Sequence, residues 1–505
     1  MSLDREICSR ARLARDARFD GKFYIAVLST RIYCRPICPS RTSKEENVLY
    51  FPTAAAAAEA GFRPCMRCRP ECSPGAPALL GTSNTVSRAL RLIGETGLED
   101  GGVELLADRL GVGSRHLRRL FLRHLGATPS AVAQTRRLHF AKKLIDETNL
   151  PMTEIAFASG FGCVRRFNAA IRGTYQRTPT QIRGLTQAQH QAVAAANQYL
   201  FHLHFRPPFS WRSMLAYLAA HSTPGVELVE GDTYRRSICV NGVRGYFEAS
   251  PSALENSLLV RIEFGDPRRL FFIVERIRAM FDLNADWAAI APTLRADPFL
   301  APRLDAEPGV RVPGCWNAFE LSVRAIVEQE MAGRIAQTLG QPFHGSPGIA
   351  HFFPEPETVA DTDLQPIGAP PAAAETIRAV ARGFADGSIK FELNADAAGL
   401  LRRLRKIPGM KRGTVEYIAM RGLREPDAFP PAGAALLDTL NLRNSRELER
   451  RAEAWRPWRS YAAIYLWNMA HYGAAAQAAR GAAGIGSGDG DRVLDQNPGP
   501  RTRTL

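Results

Sequence analysis

Four cysteines in two close pairs, Cys34-x3-Cys38 and Cys65-x2-Cys68, constrain this chain more than any other feature. Two separated pairs can bring four thiolates onto one tetrahedral ion, each sulfur about 2.3 Å from it. Cys72 falls outside the spacing, yet with it five of the nine cysteines lie within 39 residues. In an exported chain such a cluster would read as a disulfide framework. Here the first residues, Met1-Ser-Leu-Asp-Arg-Glu-Ile-Cys, are charged and contain no apolar stretch of signal-peptide length. No later apolar run approaches the roughly 18 residues of a membrane span. The expectation is therefore a cytoplasmic, nucleoid-associated chain whose paired cysteines hold a metal. Spacing alone leaves open whether that ion is structural or reactive.

A chain of 505 residues is too long for one core, so three or four domains are expected. The composition separates into blocks. Residues 1–75 are cysteine-rich, and a Pro/Gly/Ser stretch from Ser73 to Ser83 reads as a linker. Residues 84–184 are Arg-rich, with leucines at spacings of three and four that predict helices. Residues 198–305 alternate as strands do, as in Phe201-His-Leu-His-Phe, Ser237-Ile-Cys-Val and Leu258-Leu-Val-Arg-Ile, with helices between. Residues 311–475 are helical again, and the Gly/Asp/Arg/Pro tail 481–505 is expected to be disordered. The fold class is thus multidomain, mainly α with α+β parts. Charge follows the same division: residues 1–185 hold 29 Lys/Arg against 16 Asp/Glu, or +13 of the net +15. Charge so concentrated favours a phosphate-backbone partner.

Within the Arg-rich block, Val103-Glu-Leu-Leu-Ala-Asp-Arg-Leu-Gly111-Val-Gly-Ser114 reads as a helix, a turn and a Ser N-cap. A basic and apolar helix, Arg115-His-Leu-Arg-Arg-Leu-Phe, follows. Met152 to Phe161 and Val164 to Arg172 repeat the pattern. Helices beginning near Ser114 and Cys163 would enter successive major grooves, with Arg115, Arg118, Arg165 and Arg166 as the DNA-contacting candidates. Arg119 is expected to face the core or a phosphate.

These motifs resemble known families. Thr30-Arg-Ile-Tyr-Cys34-Arg-Pro-Ile-Cys38 and Ala60-Gly-Phe-Arg-Pro-Cys65-Met-Arg-Cys68 resemble the Ada-type metal domain over about residues 20–72. That resemblance implies one Zn²⁺ on Cys34, Cys38, Cys65 and Cys68. It also implies that Cys34 is the nucleophile that accepts a methyl group from a methylated DNA phosphate. Zinc would keep a thiol deprotonated, and the thiolate is the reactive form. Four thiolates on Zn²⁺ leave two negative charges and methylation leaves one, so methylated protein would be repelled less by DNA. The paired motifs resemble the AraC-type double helix-turn-helix over 84–184, which implies promoter DNA as a partner and, for an activator, RNA polymerase.

The C-terminal half resembles the AlkA-type 3-methyladenine DNA glycosylases over about 198–475, a mixed α+β domain followed by a helix-hairpin-helix domain. The resemblance rests on Val312-Pro-Gly-Cys-Trp316-Asn-Ala-Phe-Glu320, Ile407-Pro-Gly409 to Arg421, Asp427-Ala-Phe-Pro430 and Ala454-Trp-Arg-Pro-Trp458-Arg-Ser-Tyr461. It implies alkylated double-stranded DNA as a partner, with Gly409 and Lys411 in the phosphate-binding hairpin. The chain departs from the family where the family places its catalytic aspartate, because Gly433 stands there. Asp438 lies five residues on, about 140° round a helix and about 7.5 Å along its axis, and Asp427 matches an aspartate that is not catalytic. Met410 and Lys411 alter the hairpin, Gly413 replaces an expected tryptophan, and Glu328-Gln-Glu-Met-Ala332 departs from another family motif. The sequence therefore describes an alkylation-response protein with a glycosylase-like module. Two alternatives remain: a non-enzymatic regulator that uses the module only to bind DNA, or a working glycosylase with relocated chemistry.

Overall fold

The computed structural model describes residues 4–75, 84–96, 102–186, 197–391, 397–430 and 442–468, together with Leu437 and Leu440. Gly433, Asp438, most of the expected linker and the 481–505 tail lie outside the described residues. Among the described residues no helix is long and apolar enough to cross a membrane.

The cysteine-rich module is a four-stranded sheet ordered β3-β1-β2-β4: β1 Tyr24–Val27, β2 Ile32–Cys34, β3 Val48–Phe51 and β4 Arg63–Pro64. Successive side chains of a strand point to opposite faces. Tyr24 and Ala26 accordingly join one small core with Tyr33 and Phe62, while Ile25 joins another with Cys8, Phe23 and Val48. Helix α1 (Arg5–Leu13) supplies Cys8 and Ala11 to the second core. In α2 (Ala54–Glu59) four consecutive alanines are buried, since only small side chains let a helix lie this close.

Seven helices follow: α3 Asn84–Thr96, α4 Gly102–Arg109, α5 Ser114–Leu125, α6 Pro129–Glu147, α7 Met152–Ala158, α8 Val164–Tyr175 and α9 Pro179–Thr186. Two helix-turn-helix units, α4/α5 and α7/α8, are joined by the long α6. One detail of the expectation changes. Ser114 is the first helical residue and Gly113, with extended backbone, is the N-cap, so no side chain caps α5. Cys163 caps α8, again without a side-chain hydrogen bond.

Next comes a five-stranded antiparallel sheet ordered β5-β9-β8-β7-β6, with β5 Gln198–His204, β6 Glu227–Glu230, β7 Thr233–Val240, β8 Val243–Pro251 and β9 Ser257–Phe264. Helices α10 (Trp211–Ala220) and α11 (Leu270–Met280) accompany it. One continuous core runs from Leu144, Ile155 and Ile171 of the helix-turn-helix module into Phe201, Phe247 and Trp316. At this junction the Phe140 and Phe271 rings meet edge-on at 4.9 Å.

The remainder is helical: α12 Trp287–Arg295, α13 Ala301–Ala306, α14 Ala318–Arg324, α15 Gln329–Leu339, α16 Pro356–Ala360, α17 Pro371–Ala385, α18 Ala397–Arg405, α19 Arg412–Arg421 and α20 Ser445–Ala452, then helix 459–468. A short ribbon interrupts them, β10 (Pro342–Ser346) against β11 (Ile349–His351), in a stretch whose periodicity predicts helix throughout. Gly348, at φ +77°, makes the tight reversal between these strands possible. Helices α12 and α13 share a core with Trp455, Trp458 and Tyr461.

Candidate metal centre and nucleic-acid interface

Strand pairing builds the metal centre. Strands β2 and β4 run parallel, with Ile32 opposite Arg63 and Tyr33 opposite Pro64, so both strands deliver a cysteine at the same end. The Cys65 amide then donates to the Tyr33 carbonyl at 2.9 Å, and a tight turn in which the Cys38 amide donates to the Arg35 carbonyl at 3.1 Å returns the second thiol of the first pair. The sulfurs of Cys34, Cys38, Cys65 and Cys68 all lie within 4.8 Å of one another. A tetrahedral ion with sulfurs at about 2.3 Å needs them about 3.8 Å apart, so this donor set fits zinc with a small contraction. All nine cysteines are free, and Cys72 is buried outside the group.

The four thiols are not equivalent. Cys65 and Cys68 are buried, and the Cys68 sulfur accepts the Arg35 amide at 3.3 Å. The buried Arg35 guanidinium pairs with Asp20 and donates to the Cys68 carbonyl at 3.0 Å, pinning the turn. Cys34 and Cys38 are half-buried and open to solvent.

Helical phase decides the basic face of the helix-turn-helix units. Leu117, Phe121 and Leu125 of α5 are buried, as are Phe167, Ile171 and Tyr175 of α8, each set at a spacing of four. Arg115, Arg118, Arg165 and Arg166 are consequently exposed. Arg118 pairs with Glu104 at 3.1 Å, an exposed contact that a phosphate could displace at little cost. Arg119 faces solvent rather than the core and donates to His116 at 3.0 Å. Replacing both Arg165 and Arg166 by alanine is expected to weaken operator binding and to flatten its salt dependence by about one unit of slope per lost phosphate contact. Titration of a labelled operator at several salt concentrations measures this, and an unchanged slope would remove α8 from the interface.

The helix-hairpin-helix is α18, the turn Ile407-Pro-Gly-Met-Lys411 and α19. Gly409 has φ +80°, and a Cβ there would sit 2.1 Å from the Thr376 hydroxyl, which donates to the Pro408 carbonyl at 3.0 Å. Gly409→Ala should therefore cost roughly 1–3 kcal/mol of stability, read as a lower midpoint in urea unfolding. Met410, at the variable position of the turn, is half-buried among the apolar residues of the two neighbouring cores, and it is Lys411 that stands where the family motif has its second glycine. Lys411 is exposed, as are Arg403 and Lys406 on the same motif.

Long-range packing adds a group that local patterns do not reveal. Tyr217 of α10 meets Tyr417 of α19, hydroxyl to hydroxyl at 3.1 Å, and both rings lie beside Trp467, Tyr217 stacked at 6.4 Å and Tyr417 tilted at 6.1 Å. The buried Arg421 guanidinium lies 5.1 and 5.4 Å from the two tyrosine rings. Burial pushes the Tyr217 hydroxyl well above its ordinary range, so it stays neutral. Three buried or half-buried aspartates of the C-terminal half are already engaged. Asp297 accepts from Trp455 at 2.8 Å and from Arg451 at 2.7 Å; burial raises its pKa, yet these donors hold it at about 2. Asp427 is clamped by Arg456 and by Arg459 at 2.8 Å, and Asp282 accepts the Tyr461 hydroxyl at 2.6 Å.

Comparison with known proteins agrees with this assembly. Three family profiles match in chain order: the metal binding domain of Ada over 7–71, a helix-turn-helix domain over 106–184 and the AlkA N-terminal domain over 200–317. A probable bifunctional transcriptional activator/DNA repair enzyme AlkA of Mycobacterium tuberculosis is 39% identical over 478 residues, covering 92% of this chain and 96% of the relative. The chain belongs to this family of bifunctional activator/repair proteins. DNA-3-methyladenine glycosylase 2 of Escherichia coli is 30% identical over 53% of this chain and 96% of its own length. The bifunctional transcriptional activator/DNA repair enzyme Ada of Escherichia coli is 42% identical over 25% of this chain and 34% of its own.

Family membership and the four-sulfur geometry together identify the metal: this bifunctional protein holds one Zn²⁺ on its cysteine cluster. Its remaining modules are those of DNA-binding proteins, and its exposed basic helices and hairpin are the surfaces suited to that role.

Proposed function

We propose that this protein takes a methyl group from a methylated backbone phosphate of double-stranded DNA onto Cys34 and then activates transcription from a promoter. The observation that carries this reading is a half-buried Cys34 at the exit of β2, grouped with three further thiols in a module packed against basic helix-turn-helix units. In the transfer a bond forms between the Cys34 sulfur and the methyl carbon. The carbon–oxygen bond breaks, and its electron pair returns the phosphate to an anionic diester. Bound zinc keeps the cysteine thiols deprotonated at neutral pH. Cys68 is the most shielded thiol, buried and with its sulfur accepting the Arg35 amide, whereas Cys34 and Cys38 are half-buried. Loss of one negative charge at the centre then weakens its repulsion of phosphate and tightens promoter binding. As an activator the protein would next meet RNA polymerase.

The chain is divided here into a methyl-acceptor module 1–75, a helix-turn-helix module 84–184, a mixed α+β module 198–305 and a helix-hairpin-helix module 311–475. In the last of these, Gly409, Lys411 and the neighbouring cations grip alkylated DNA, while Gly433 leaves the module without the carboxylate for base excision. Incubation with a duplex bearing one methylphosphotriester should add a single methyl group to the intact protein. No uptake, or uptake without any change in promoter affinity, would respectively remove the transfer or the switch.

A further inference from the structure

Both segments that carry the zinc ligands are tied by side chains to one helix of the neighbouring module. Tyr33, the residue before Cys34, is buried, and its hydroxyl hydrogen-bonds to His139 Nε2 of α6 at 3.0 Å. Arg69, the residue after Cys68, lies in the left-handed region at φ +51°, a conformation that costs a non-glycine residue energy. Its guanidinium reaches Asp146 at 3.0 Å and Glu147 at 3.2 Å, both on α6. Residues at spacings of three, four and seven share one helix face, and His139, Lys142, Lys143, Asp146 and Glu147 have that spacing.

This face is polar and yet enclosed. The side chains of Glu71, Lys142 and Asp146 are 2% exposed or less. Charges are buried at such a cost only when they are paired, and here three cations, Arg69, Lys142 and Lys143, meet three anions, Glu71, Asp146 and Glu147. The same face also pairs the main chain of His202 on β5, one of the two edge strands of the five-stranded sheet. Lys143 donates to the His202 carbonyl at 2.7 Å, and Glu147 accepts the His202 amide at 3.3 Å. An edge strand leaves such groups unpaired unless something covers them.

We propose that α6 is a positioning element of the methyl-acceptor centre, with His139 acting on Cys34 through Tyr33 and Asp146 and Glu147 acting on the Cys65–Cys68 turn through Arg69. This rests on the reading of Cys34 as acceptor.

The test uses the full-length zinc-loaded protein and four variants, Tyr33→Phe, His139→Leu, their double, and Arg69→Lys. Tyr33→Phe keeps the ring and deletes one hydroxyl, and Arg69→Lys keeps charge but loses the planar fork. Two readouts are taken: the single-turnover rate of methyl transfer at saturating and sub-saturating methylphosphotriester duplex, and the rate of zinc release to a chelator. Displacement of a reacting group by a fraction of an ångström is expected to slow transfer on the order of tenfold at saturation, with an unchanged half-saturating DNA concentration. Zinc release should quicken on the same scale. The double variant should be no worse than either single one, since both delete the same contact. Unchanged transfer and unchanged zinc release in variants of an active protein would overturn the proposal, and so would additive losses in the double variant. Failure of the unmodified protein to take up methyl would instead strike the acceptor reading, while zinc release would still report on positioning.

Discussion

Cys34→Ala is expected to abolish methyl uptake altogether while leaving operator binding by the helix-turn-helix units in place. The loss is complete because the substitution removes the atom to which the methyl bond forms, which no neighbouring group can replace. Cys65 and Cys68 are buried, and the Cys68 sulfur already accepts an amide proton. Cys38 is the informative comparison, because it is half-buried like Cys34 and belongs to the same cluster. Mass spectrometry of the tryptic digest makes the distinction. Trypsin does not cut before Pro36, so the peptide Ile32–Arg41 holds both Cys34 and Cys38, and fragment ions must separate them. Methyl found on Cys38 would reassign the acceptor within the same centre. Three remaining thiolates should still retain zinc, which a parallel metal determination checks.

The second large effect concerns base release. The unmodified protein should free 3-methyladenine from alkylated DNA only at background, and Gly433→Asp should raise release by about 10²–10³-fold. A carboxylate in a water-poor cleft stabilises the cationic sugar as the base departs, and a glycine offers nothing in its place. Asp427, Asp282 and Asp297 are bound to arginine, tyrosine or tryptophan partners and are poorly placed to serve instead. Release by the unmodified protein would mean that another group performs the chemistry. Release by neither protein would mean that Gly413, in place of an expected tryptophan, has also opened the pocket.

Spacing made the metal centre legible. Close cysteine pairs can form only a few local geometries, and thiolates that share an ion must converge. The helix-turn-helix face was legible for a similar reason. Leu117, Phe121 and Leu125, like Phe167, Ile171 and Tyr175, repeat every four residues, and burying them turns the intervening arginines outward. The Ser114 cap was misplaced by one residue because Gly113 can take the extended cap conformation with no side chain to announce it.

What the sequence determined by itself was therefore local: which residues ligate zinc, which helices are amphipathic, and that Gly433, which the resemblance matches to an aspartate, carries no acid. What only the tertiary structure decided was how these parts meet. Tyr33 finds His139 across 106 residues, and Tyr217 finds Tyr417 across 200. Arg69 and Glu147 join a zinc-ligand turn to a helix that reads as an ordinary charged stretch. Such contacts follow from how folded surfaces match in shape and charge. Lys142, Asp146 and Glu71 would each read as solvated, and they are buried only because three modules close over them.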